Sequence, residues 1–100
     1  MLKATVLYGH PASPESFEKY YSETHLPLAA KTQGLVKLEL TKFLANPDTS
    51  APAYYRMAEL YFEGSVEMQQ VLISPEGIAM ATNLTNFATG GVTKVFGTTD

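Results

Sequence analysis

Two histidines, six tyrosines and ten carboxylates are the chain's stock of proton-handling side chains, and no cysteine adds to it. One stretch gathers several of them at a useful spacing: Tyr20-Tyr21-Ser22-Glu23-Thr24-His25-Leu26-Pro27-Leu28-Ala29. His25 titrates near neutral pH and can give or take a proton. A phenol beside an imidazole can orient a carbonyl or phenolate for proton transfer, the part open to Tyr20 and Tyr21. Pro27 removes a backbone donor and collides with the carbonyl of Glu23, so a break or kink is expected within a few residues of it, with Leu26 pushed out of α geometry. The plainer reading makes His25 a helix-end residue bonded to a freed carbonyl, and the tyrosines core residues with a polar tip.

Other candidates carry less. His10 lies in a Gly9-His10-Pro11 turn and reads as a loop residue, and its spacing to His25 matches no metal motif. No metal site is therefore expected. The chain has no Gly-x-Gly-x-x-Gly, phosphate loop or Gly-x-Ser-x-Gly elbow, so neither a nucleotide cofactor nor serine-hydrolase chemistry has a footing. No cofactor is assigned. Glu59 falls between Met57 and Tyr61 in a β-prone run, where a carboxylate must be paired, solvated or used. An interface salt bridge is expected of it, with Arg56 and Lys37 as possible partners. Met57, Met68 and Met80 serve as core filler or as the lining of an adaptable apolar pocket.

One hundred residues support a single domain, spanning 1–100, with one modest core. The net charge of −3 and scattered basic residues exclude nucleic acid and anionic membrane as partners. There is no charged-then-apolar leader and no run long enough to span a bilayer, so a soluble cytoplasmic protein is expected.

The elements that must position the histidine follow from pattern. Lys3 to Tyr8 is a strand ended by Gly9 and Pro11. Ser13-Pro14-Glu15 starts a helix with a capping serine, an N1 proline and an acidic first turn. Phe17, Tyr20, Tyr21, Thr24 and Leu28 share one face of it, and Gly34 is the expected residue past its end. Val36 to Phe43 alternates as a second strand, and residues 46–52 form a loop. Tyr54 to Phe62 is a third strand with apolar groups on both faces, expected to be covered on both sides. Ser65 is expected to cap a second helix, which restarts at Ser74-Pro75-Glu76 and runs to Phe87; Val92 to Phe96 is the last strand. The order β-α-β-β-α-β matches a ferredoxin-like α+β fold, an antiparallel sheet with both helices on one face. The other face of that sheet would be buried by a second copy, giving a homodimer.

Several phrases together resemble the EthD family: Tyr8-Gly9-His10-Pro11; Phe17-x-x-Tyr20-Tyr21-x-x-Thr24-His25-x-Pro27-Leu28; Tyr55 to Phe62; Ser74-Pro75-Glu76-Gly77; and Asn86 to Thr93. The resemblance covers nearly the whole chain. It implies a dimeric α+β barrel, in the wider group of small monooxygenases, polyketide cyclases and muconolactone isomerase. The family takes its name from a gene cluster for ether degradation, where its member accompanies a haem monooxygenase system.

Residues and resemblance together lead to one expectation about the site. A small hydrophobic or aromatic molecule is bound by Phe17, Tyr20 and Tyr21 of the first helical region and Met68, Leu72 and Leu84 of the second, with His25 as catalytic acid or base. The activity would be that of a cofactor-free oxidoreductase, or of a cyclase or isomerase. The alternatives are a non-catalytic carrier or accessory protein to a monooxygenase system, and haem or metal binding through a histidine.

Overall fold

Ser13 and Ser74 start their helices as their positions require. The Ser13 hydroxyl accepts the Ser16 N–H at 3.3 Å and the Ser74 hydroxyl accepts the Gly77 N–H at 3.1 Å, each with a proline in the first turn. Ser65 does not cap: Gly64 takes the cap position with extended backbone, and Ser65 is the first residue of the helix. The chain's computed structural model describes residues 1–99. Its elements are β1 (Leu2–Tyr8), α1 (Pro14–Tyr20), a π-helical turn (Tyr21–His25), α2 (Leu26–Ala30), β2 (Lys37–Lys42), β3 (Arg56–Phe62), α3 (Ser65–Ile73), α4 (Pro75–Phe87) and β4 (Val92–Thr98).

The expected break at Pro27 does not occur. Leu26 keeps right-handed helical geometry (φ −65°, ψ −40°), and its N–H reaches back five residues to the Tyr21 carbonyl. One wide turn shifts the carbonyls ahead of Pro27 by a residue and takes up the ring within a continuous helix. The helix closes earlier than expected, with Lys31 at its end; Gly34 (φ 97°) belongs to the turn that follows.

The strands form one antiparallel sheet in the order β2-β3-β1-β4, the ferredoxin-like arrangement. Register places Ala4, Val6, Tyr8, Ala58, Leu60 and Phe62 on the face that the helices cover. At one end of that face Tyr8, Phe17, Tyr21 and Phe87 interlock, with Tyr8 and Phe17 ring centroids 5.4 Å apart and edge to face. At the other end Phe62, wholly buried, packs with Ala4 and Val71.

The slab is thin. Its Cα extents are 41 × 31 × 17 Å, which is one helical layer on one sheet. The third strand is therefore covered on one side only, and its other side is open within a single chain. On that open face Lys3 pairs with Glu59 at 3.0 Å, so the carboxylate's partner comes from β1 and not from Arg56 or Lys37. Among the described residues no helix is long and apolar enough to cross a membrane.

Candidate functional site

Between the two ends of the core the layers do not close. Small residues meet there, with Ala4 and Ala58 on the sheet facing Ala29 of α2 and Gly77 and Ala81 of α4. Side chains this short cannot span the distance between a sheet and its helices, and a cavity of about 100 Å³ remains. Leu26, Leu38, Leu40, Leu60, Leu72, Met80 and Leu84 supply most of the apolar wall.

The π turn contributes two polar side chains to that wall, Tyr21 and His25. His25 is 7% exposed, its ring 4.9 Å from Phe87 and near-parallel to Tyr21 at 5.8 Å. Among the described residues its Nδ1 has no hydrogen-bond partner, and neither has the hydroxyl of Tyr21, which is 2% exposed. An orphaned buried polar atom costs about 1–3 kcal/mol, and native proteins rarely keep two side by side without a use. Single wide turns inside helices are also concentrated at functional sites.

Electrostatics divides the roles. Burial lowers the pKa of His25, so the imidazole is neutral near pH 7 and able to accept a proton. Burial pushes the Tyr21 phenol up to about 12, with Arg56 pulling weakly the other way from 5.0 Å off its ring. Tyr8 is raised for the same first reason. These phenols stay protonated and can act as donors. Arg56 is fixed by two bonds to Glu18, at 2.9 and 2.5 Å, and this pairing holds the Glu18 carboxyl below its usual range.

Of the residues expected at the site, Tyr21, His25, Leu72 and Leu84 stand together in the cavity wall. Three stand elsewhere. Phe17 is buried in the aromatic cluster. Tyr20 turns towards α4, where its hydroxyl donates to Asn83 Oδ1 at 2.5 Å and accepts from Asn86 Nδ2 at 3.0 Å. Met68 packs against the Ala4–Phe62–Val71 group. Helical periodicity groups Phe17 and Tyr20 with Tyr21, but of the three only Tyr21, the first residue of the π turn, faces the opening. Leu26, Ala29 and Lys94 also line the cavity and are not expected from pattern, because the small residues that leave it open, Ala4, Ala29, Ala58, Gly77 and Ala81, are scattered along the chain and carry no local signal. His10 lies outside this site, with Nε2 2.7 Å from the Pro52 carbonyl. Among the described residues no group of three or more His, Cys, Asp or Glu could hold a metal ion.

Known proteins place the chain. A cofactor-independent oxygenase of Streptomyces nogalater, SnoaB, solved as a mutant, has the same fold at a TM-score of 0.67 and 16% identity, over 98% of this chain and 90% of its own. An ethyl tert-butyl ether degradation (EthD) family protein from Bacillus halodurans superposes with a TM-score of 0.92 at 29% identity, covering 100% of this chain and 99% of its own. An uncharacterized 11.0 kDa protein in the thcB-thcC intergenic region of Rhodococcus erythropolis is 38% identical over 96 residues, 96% of this chain and 92% of that protein. A sequence model of the EthD domain matches residues 9–91, and the chain belongs to the EthD family.

Proposed function

We propose that this protein is a cofactor-free enzyme that holds a small, mostly apolar molecule between helices and sheet, with His25 as its acid and base. The observation that carries the reading is a neutral, unpaired imidazole in the wall of an apolar cavity beside an unpaired phenol. In this scheme the imidazole takes a proton from an acidic C–H or O–H of the bound molecule. The Tyr21 hydroxyl donates to the oxygen on which negative charge develops. The resulting anion can combine with dioxygen, close a ring, or take the proton back at another carbon, which are the oxygenase, cyclase and isomerase outcomes. The description of the Streptomyces protein as a cofactor-independent oxygenase supports the first of these.

A pair of probes tests the site before any substrate is known. Wild-type protein is expected to bind p-cresol about fivefold more tightly than toluene, the worth of one net hydrogen bond of about 1 kcal/mol. In His25→Leu that preference should fall to about one, as read by calorimetric titration. If neither probe binds, or the preference survives the substitution, His25 does not have this role.

The open sheet face supports a homodimer as the working form. Leu7, Met57 and Tyr61 lie on it beside Val95, which is half exposed, and among the described residues no helix covers them. Sedimentation equilibrium at micromolar concentration should give a dimer, and Val95→Glu should give a monomer. A wild-type monomer at that concentration would refute the arrangement.

A further inference from the structure

Resting on the reading that the cavity binds a small molecule, we propose that its ligand is an apolar body carrying one carboxylate or similar oxyanion, held at the cavity mouth by Lys94. Lys94 and Phe96 alternate on edge strand β4 and pair across to Val6 and Ala4, so both belong to the face that the helices cover. Both are exposed and both border the cavity. Among the described residues that line it, Lys94 is the one fully charged side chain, and no carboxylate joins it.

Its isolation is the second observation. Lys3 is paired with Glu59, Lys37 with Glu39, and Lys42 and Arg56 with Glu18. Lys94, like Lys19 and Lys31, has no such partner among the described residues, and of these three it alone borders the cavity. In a chain of net charge −3, an unpaired ammonium beside an apolar opening is a local positive focus for an incoming anion. An edge-strand lysine can serve merely to keep another strand from adding on. That role asks nothing of the cavity, whereas Lys94 forms part of its wall.

The chemistry also sets the ligand's direction. A carboxylate carried into the apolar interior would lose its hydration without a partner, so it must stay at the mouth, where the lysine stem can lie along Phe96 and keep its ammonium in water. The ligand's apolar end then enters first and reaches the His25 and Tyr21 region. Anion outward and reactive end inward is a fixed orientation, which proton transfer by one imidazole requires.

Titration of 3-phenylpropionate and its neutral amide, 3-phenylpropionamide, separates the possibilities. Wild-type protein at low salt is expected to favour the acid by about two- to fivefold, the scale of a partly exposed ion pair. The preference should vanish in Lys94→Gln, persist in Lys94→Arg and shrink in high salt, with amide affinity unchanged throughout. Equal binding of acid and amide, or a preference that survives Lys94→Gln, overturns the anion assignment while the cavity reading stands. A parallel loss of amide binding in Lys94→Gln makes the lysine structural and also overturns it. If neither compound binds wild-type protein, this proposal and the reading beneath it both fall.

Discussion

His25→Leu is expected to make the protein more stable, by about 1 kcal/mol, or about 4–8 °C in Tm for a domain of this size. Leucine keeps most of the contact with Phe87 and Tyr21 and removes a buried nitrogen that has no partner. Alanine would confound the test, because its void beside Phe87 costs packing energy of its own. The pH dependence should change as well. Burial depresses the folded-state pKa of His25 below its ordinary 6.5, so the unfolded chain binds a proton that the folded one refuses. Wild-type stability should thus hold above that value and decline as pH falls from it through the lower folded value; the variant should lack this loss. Urea titrations between about pH 5 and pH 8 measure both effects. A variant that is less stable, with the same pH slope, would show that the imidazole is structural. Stability gained where function is lost is the usual mark of a residue kept for its chemistry.

Gly77→Ala should act in the opposite direction, lowering stability by about 2–3 kcal/mol and Tm by about 10–20 °C. In an ordinary helix this change is favourable by about 1 kcal/mol. Here α3 and α4 meet at an elbow around Ser74, whose hydroxyl donates to the Val71 carbonyl at 2.6 Å and accepts from Gly77 N–H. A Cβ on Gly77 would overlap the Val71 carbonyl oxygen, a backbone atom that cannot rotate away. The overlap outweighs the propensity gain, and relief requires the two helices to part. That movement would carry Leu72, Met80 and Leu84 with it, so probe binding should weaken along with thermal stability. A variant at least as stable as wild type would mean that the elbow is looser than this geometry.

How much of this was legible beforehand depended on how local each cause was. The Ser13-Pro14 and Ser74-Pro75 starts were readable because a cap is a bond between a side chain and a backbone group three residues away. Alternation in residues 36–43 and the order of elements were enough for the ferredoxin-like sheet, since strands of this length and spacing admit few topologies. Pro27 misled for a physical reason: the rule that proline breaks a helix assumes a uniform i to i+4 ladder, and one wide turn lifts that assumption.

The amino-acid sequence alone determined the layer order, the capped helix starts and the presence of a histidine and two tyrosines on one short segment. Tertiary structure decided which of them face a cavity. Tyr21 and His25 reach it, whereas Tyr20 is drawn off by Asn83 and Asn86, residues more than sixty positions away. Structure also decided that the cavity exists, because it forms where Ala4 and Ala58 of two strands meet Ala29, Gly77 and Ala81 of two helices. Each of these small residues is ordinary in its own segment. A void is a property of what faces what across two layers, and only the packed chain brings those positions opposite one another.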